Sequence, residues 1–245
     1  MLFLAYPQWR LGMHRRSFAL SKTKNMKTKK TIAIIGATGN MGSAISKSLS
    51  KGNYRLLLKA NEEDKLDVLV KEIESIQTKA EVGVAVCPAE AGWEADIIIL
   101  ALPFGAEKEV AKKIKEVANQ KIVISISNPL NETFDGLVTA SDTSAAEELQ
   151  KLLPNSKVIK AFNTTFAADF SSPVIDGKQV DAFIAGNDEE ALQTVSELVT
   201  TAGFNPIVAG DLSISRTLES MQLLLIQLGI KYNYNWLAGW KILHN

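Results

Sequence analysis

The stretch Thr31-Ile32-Ala33-Ile34-Ile35-Gly36-Ala37-Thr38-Gly39-Asn40-Met41-Gly42 constrains the fold more than any other part of the chain. An unbroken apolar and β-branched run enters three glycines, each separated from the next by two residues, and a helical pattern follows. A buried strand that turns directly into a helix needs a residue without a Cβ at the turn and another where the helix packs on the strand. The free N–H groups and positive dipole of the helix start then make an anion site. At the head of a βαβ series such a loop cradles the pyrophosphate of a dinucleotide. The expected contacts to NAD(P) are Gly36, Ala37, Thr38, Gly39, Asn40 and Met41, with Gly42 reserved for close helix packing. Thr38 stands where the usual fingerprint has its second glycine, so its hydroxyl and the Asn40 amide add side-chain hydrogen bonds to phosphate. The plainer alternative is that the glycines only permit a tight turn; their place after a buried strand in a βαβ series favours the nucleotide.

From Thr31 onward short β-branched runs alternate with helical patterns, the signature of βαβ units stacked around a parallel sheet. Strands are expected at 31–35, 54–59, 82–86, 96–102, 121–126, 157–162, 182–185 and 206–209. Helices are expected at 41–51, 62–76, 106–118, 143–152 and 188–201, the last with Asp188 as N-cap. A long helix starts near residue 212, apolar over most of its circumference, and is expected to be buried on most sides by core packing or by a second subunit. The fold class is α/β, a Rossmann-type doubly wound, mostly parallel sheet with a C-terminal helical addition. Residues 1–28 are expected to form a disordered basic leader outside the fold, 29–211 the NAD(P)-binding domain, and 212–245 a helix and tail packing on that domain or on a dimer partner.

Charge and cysteine content narrow the function classes. The chain has 27 Lys and Arg and 27 Asp and Glu, but the first 30 residues hold eight basic residues and no acid, leaving a body with an excess of eight acids. An acidic body argues against a nucleic-acid groove. No apolar stretch reaches the roughly 20 residues of a membrane helix. The single cysteine, Cys87, suits a reducing, cytoplasmic setting and is expected as a small hydrophobe at a strand end.

Cofactor choice in such a fold is made at the end of the second strand. The sequence there reads Leu58-Lys59-Ala60-Asn61-Glu62-Glu63-Asp64-Lys65, with no acid at the strand terminus and with Lys59 and Lys65 in reach of a 2′-phosphate, which favours NADP over NAD. Leu102-Pro103-Phe104, Ser127-Asn128-Pro129 and Asn163-Thr164 follow later parallel strands at the ligand-binding edge. The first group is expected to touch the nucleotide, and the others a substrate or flavin-like ring. Lys160, inside its strand, is expected to be paired or snorkelling. The body contains no histidine and no Tyr-x-x-x-Lys, since His14 and His244 lie at the ends. Hydride transfer between nicotinamide and a second ring survives that exclusion, because positioning rather than proton transfer carries it.

The loop Gly-Ala-Thr-Gly-Asn-Met-Gly at 36–42 and the segment Leu-Ser-Ile-Ser-Arg-Thr-Leu-Glu-Ser at 212–220 resemble the F420-dependent NADP oxidoreductase family. The resemblance spans residues 31–245. It implies a hydride passed between NADP and a deazaflavin, a 2′-phosphate site at Ala60, Asn61 and Lys65, nucleotide contacts at Thr38, Leu102 and Pro103, and a deazaflavin region near Asn128 and Asn163. The chain departs from the family where Ser-Arg-Arg is replaced by Ala60-Asn61-Glu62 and His-Thr by Asn163-Thr164. The segments at 127–128 and 160–164 are similar instead to the oxidoreductase domain of metalloreductases, which uses a flavin (FMN or FAD). Two further readings stand beside this one: a non-catalytic NADP-binding redox sensor, and a small-substrate reductase of the pyrroline-5-carboxylate reductase or β-hydroxyacid dehydrogenase type.

Overall fold

A computed structural model describes residues 29–76 and 78–244; the expected leader lies outside the described residues. The first part runs β1 (Lys30–Ile35), α1 (Asn40–Leu49), β2 (Tyr54–Lys59), α2 (Glu63–Ser75), β3 (Glu81–Val84), α3 (Pro88–Glu94), β4 (Ile97–Leu100), α4 (Phe104–Ile114), β5 (Ile122–Ser125), α5 (Ala145–Leu152) and β6 (Lys157–Lys160). A 3-10 turn (Ala167–Phe170) and a small ribbon of β7 (Val174–Ile175) and β8 (Lys178–Gln179) follow. The chain then forms β9 (Asp181–Gly186), α6 (Glu189–Thr201), β10 (Asn205–Gly210), a second 3-10 turn (Leu212–Ile214) and α7 (Ser215–Tyr232).

The main sheet has the order β3-β2-β1-β4-β5-β6-β9-β10. Its first six strands are parallel and in the doubly wound 3-2-1-4-5-6 order, so β1 and β4 flank the point where the winding reverses and ligands bind. β9 joins β6 antiparallel, with Lys160 opposite Ala185, and β10 then runs parallel to β9. Alternate residues of the central strands feed two cores. Ile32, Ile34, Ile97 and Ile99 pack with residues of α1, α2 and α6, while Ala33, Ile35, Ile98 and Leu100 pack with residues of α3, α4 and α5. Covering both faces is why these strands read as continuous apolar runs. Each fully buried isoleucine contributes roughly 1.5–3 kcal/mol relative to an exposed one.

Three expectations are corrected. Helix α3 falls in a stretch without an assigned element: Pro88 presets the first helical φ, Cys87 Sγ accepts the Glu90 N–H at 3.4 Å, and Glu90 Oε2 accepts the Val86 N–H at 2.5 Å. Cys87 is therefore an exposed helix cap, not a strand-end hydrophobe. Helix α7 buries one stripe, Leu218, Glu219, Gln222, Leu225 and Ile226, and leaves Leu224 and Ile230 exposed. With Ser215 the buried stripe includes three polar residues, and apolar residues spill onto the outer face. Asp188 caps α6 as expected, accepting the Ala191 N–H at 2.9 Å.

Candidate active site

The glycine loop is stitched to the end of β2. The N–H groups of Gly36 and Ala37 donate to the Lys59 carbonyl at 2.8 and 3.1 Å, and the Gly39 N–H donates to the Gly36 carbonyl at 3.1 Å. Gly36 has φ +89°, and a Cβ there would overlap the Ala101 carbonyl oxygen just beyond β4. A Cβ on Gly42 would overlap the Gly36 carbonyl oxygen. A Cβ on Gly39 would meet that oxygen only at 3.4 Å, so the protein itself leaves space above Gly39. The N–H groups of Thr38, Asn40, Met41 and Gly42 have no acceptor among the described residues. Those donors and the positive end of α1 constitute an anion cradle.

On one side of the loop lies a cleft of about 460 Å³. Gly36, Thr38 and Gly39 form its floor, Lys59, Ala60, Asn61 and Glu62 one wall, and Leu102, Pro103 and α4 the other. Pro88 of α3 closes it, a contribution that reading the sequence missed together with the helix. Lys113 of α4 also reaches this cleft and pairs with Glu109 at 2.6 Å. Lys65 does not line it; its ammonium is held by Glu62 at 2.7 Å. Phe104 faces a separate pocket between α4 and α5.

A second cleft, about 270 Å³, opens on the other side of the loop start and shares Asn40 and Met41 with it. Its wall combines Ile126, Phe162, Phe166, Ile226 and Trp236 with the amides of Asn128, Asn163 and Gln222. Asn128 Nδ2 donates to the Asn163 carbonyl at 2.9 Å, and Asn163 Nδ2 donates to Asn128 Oδ1 at 3.0 Å. The two loops after β5 and β6 are thereby locked together. Asn163 Oδ1 and Gln222 Oε1 are buried and have no partner among the described residues. These two acceptors suit N–H donors on a ring or carboxamide, because a buried carbonyl left unpaired is costly. Among the described residues no titratable side chain lines this cleft.

The structure brings together Gly36, Thr38, Gly39, Lys59, Asn61, Leu102 and Pro103 at the first cleft and Asn40, Met41, Asn128 and Asn163 at the second. It does not bring Ser127, Pro129 or Thr164 to either wall. Ser127 lies buried behind Asn128, the Pro129 carbonyl accepts the Val138 N–H at 2.7 Å, and Thr164 Oγ1 accepts the Phe183 N–H at 3.4 Å. Gln222, Ile226, Phe166 and Trp236 were missed. A glutamine in an apolar helical stripe was the one legible signal among them; Trp236 meets Phe166 edge-on at 5.5 Å from a tail with no periodicity.

Four buried ionisable residues, Lys160, Glu219, Glu107 and Asp169, lie outside both cleft walls. Lys160 Nζ lies 2.6 Å from Glu219 Oε1 and also donates to the Ser127 carbonyl. The expectation that Lys160 is paired is met. Glu107 accepts from the Ser125 hydroxyl at 3.2 Å, and burial pushes its carboxyl up to about 7 against the opposing pull of Lys160. Asp169 is likewise pushed up by burial to about 7, although it accepts the Phe166 N–H at 2.7 Å. No group of three or more metal-ligating side chains and no helix long and apolar enough to cross a membrane occurs among the described residues.

Comparison with known proteins supplies the context for this arrangement. The family described as NADP oxidoreductase, coenzyme F420-dependent, matches residues 31–129. The F420-dependent NADP reductase of Methanocaldococcus jannaschii is 33% identical over 212 residues, covering 82% of this chain and 93% of that protein. Metalloreductase STEAP3 of Rattus norvegicus is 34% identical over 106 residues, 43% of this chain but 21% of that protein. A crystal structure from Arthrobacter sp. FB24, provisionally assigned as an F420-dependent NADP reductase, shares the fold with a TM-score of 0.75 at 22% identity, covering 87% of this chain and 99% of that one. On the length and identity of the Methanocaldococcus match, this chain belongs to the F420-dependent NADP oxidoreductase family, a family of oxidoreductases.

Proposed function

We propose that the chain passes a hydride between NADP(H) and coenzyme F420, with the dinucleotide lying across the glycine loop and the deazaflavin ring in the 270 Å³ cleft. The observation that carries this reading is the shared wall: Asn40 and Met41, at the start of α1, belong both to the phosphate cradle and to the second cleft. A nucleotide held by the cradle therefore has its nicotinamide end directed to a second ring site.

The residues present fit both groups. Gly36 and Gly42 are places a Cβ would fill, and the unused N–H groups of Thr38, Asn40 and Met41 supply donors for the pyrophosphate. Lys59 and Asn61, with Lys113 across the cleft, are the groups in place for a 2′-phosphate. When bound, NADPH would supply the hydride and the deazaflavin would accept it. Asn163 Oδ1 and Gln222 Oε1 orient ring N–H groups, while Phe162, Phe166, Ile226 and Trp236 keep water from the transfer. With no titratable side chain on the wall, this chain's work is alignment of two rings, a contribution governed by geometry.

Fluorescence titration with NADPH followed by anaerobic stopped-flow mixing with F420 tests the reading. Bleaching of the deazaflavin chromophore is expected. Tight NADPH binding with reduction of FMN or FAD in place of F420 would transfer the second site to a flavin, as the resemblance of segments 127–128 and 160–164 to metalloreductases implies. Binding without reduction of any of them would leave a redox sensor. We also read residues 29–211 as the nucleotide-binding domain and 212–245 as its acceptor-side cover. The exposed Leu224 and Ile230 on α7 support a homodimer through that helix, and the free Cys87 supports a cytoplasmic setting.

A further inference from the structure

One group of buried ionisable residues lines neither ligand cleft. Lys160 of β6, Glu219 of α7 and Glu107 of α4 each expose 2% or less of their surface. Lys160 Nζ bridges Glu219 Oε1 at 2.6 Å and the Ser127 carbonyl at 2.5 Å. The other Glu219 oxygen accepts the N–H of Ala145, the first residue of α5, at 3.1 Å. Glu107 Oε2 and the Ser127 hydroxyl, facing the same group, have no partner among the described residues.

Stability does not account for such a pair. Removing two charges from water is costly, and apolar residues of similar volume hold a fold at least as well. The location is more informative. Ser127 precedes Asn128, Lys160 lies three residues before Asn163, and Glu219 lies three residues before Gln222, less than one helical turn away. Three of the four side-chain amides of the acceptor cleft, all but Asn40 of α1, therefore hang from one ion pair that itself touches neither cleft wall.

We propose that the Lys160–Glu219 pair is a positioning pair for hydride transfer: by fixing the Ser127 carbonyl to α7, it sets the amides of Asn128, Asn163 and Gln222 at the spacing the acceptor ring requires. The inference rests on the reading of the second cleft as the acceptor site. A methionine at 160 fills the same volume but cannot donate to the Ser127 carbonyl, so the geometry and the packing are separable.

The double variant Lys160→Met with Glu219→Leu removes both charges at near-constant volume and is expected to fold with a native melting transition. Its single-turnover hydride-transfer rate should fall by about tenfold or more, since misplacements on the order of 1 Å cost that much. NADPH affinity should stay within about twofold, because the cradle is untouched. The isotope effect with NADPH deuterated at its transferring carbon should rise as the transfer becomes limiting. A folded double variant with the wild-type transfer rate overturns the proposal. If the double variant does not fold, Lys160→Met alone breaks the bridge from the Ser127 carbonyl to α7; a transfer rate and isotope effect equal to wild type then overturn it. Hydrogen exchange at residues 127–130 and 163–166 supplies a readout independent of the acceptor. Faster exchange in either variant supports the pair's role and unchanged exchange overturns it, whereas a wild-type protein that fails to reduce F420 refutes the acceptor assignment alone.

Discussion

Replacing Gly42 with alanine separates what the glycine loop does for the fold from what it does for the nucleotide. The added Cβ would overlap the Gly36 carbonyl oxygen and lie 2.9 Å from both Ala37 Cα and the Gly36 carbonyl carbon. Carbon atoms rest at about 3.5–4.0 Å, so the loop must recede from α1 by roughly 0.6–1 Å. Overpacking of this kind costs about 1–3 kcal/mol, against which the better helix propensity of alanine returns about 1 kcal/mol. The net destabilisation is on the order of 0–2 kcal/mol, a modest fall in melting temperature. Binding should suffer more. The N–H groups of Thr38, Asn40 and Met41 move with the loop, and hydrogen bonds to a charged group contribute about 1.5–3 kcal/mol each. Misaligning two of them without losing either amounts to roughly 2–3 kcal/mol, about 30- to 150-fold in the NADPH dissociation constant. Fluorescence titration and circular dichroism melting measure the two effects separately. A folded Gly42→Ala protein binding NADPH within about threefold of wild type would refute the reasoning. Gly39→Ala is the control: its Cβ meets only the Gly36 oxygen at 3.4 Å, so stability should hold, and any loss of affinity there reports the ligand's own approach.

Other outcomes follow from the same geometry. Glu62 lines the nucleotide cleft and occupies Lys65, so Glu62→Arg should raise the NADPH-over-NADH preference in kcat/KM by about tenfold, a Coulombic gain on the order of 1 kcal/mol or more at the surface; an unchanged ratio would mean the 2′-phosphate lies elsewhere. Trp236→Ala should weaken F420 more than NADPH, by about two- to tenfold from the lost edge-on contact with Phe166 and the lost wall area, and equal losses for both ligands would contradict its placement. Glu107 and Asp169 keep their protons in the folded chain up to about 7 but release them at ordinary carboxylate values when unfolded. Their contribution to stability is thus complete in acid and lost as pH rises to about 7, so the melting temperature should decline between about pH 4 and pH 7. Glu107→Gln should flatten that decline; an identical slope in the variant would show that Glu107 is not responsible.

The nucleotide half of the site was legible because its chemistry is local. The turn, the free N–H groups and the end of β2 all lie within 31–65, where spacing alone dictates what can bend and what can donate. The strand pattern also announced the doubly wound sheet, since runs such as 97–100 are apolar only when covered on both faces. The acceptor half was hidden because distant segments compose it. Asn128 and Asn163 were visible as strand-end residues, yet their mutual hydrogen bonds depend on β5 and β6 being neighbours. Gln222, Ile226 and Trp236 come from α7 and the segment after it, far beyond Asn163 in sequence. Phe104 and Thr164 sit where spacing placed them but turn elsewhere, one into the pocket between α4 and α5, the other toward β9. Periodicity fixes an element, and its neighbours decide which way a residue at its end points.

The seating of α7 has a consequence for how the acceptor site can change. Along that helix Arg216 meets Glu147, Glu219 meets Lys160, and Gln222 and Ile226 reach the cleft. These contacts fall within about 120° of the helix circumference. A single residue inserted or deleted between 216 and 222 turns everything beyond it by about 100° and shifts it by about 1.5 Å, which would swing Gln222 out of the cleft while leaving the nucleotide cradle intact. The helix acts as a threaded screw whose pitch, rather than whose composition, indexes the second substrate's pocket. Substitutions along it can tune the cleft gradually; length changes within it can only replace one pocket with another.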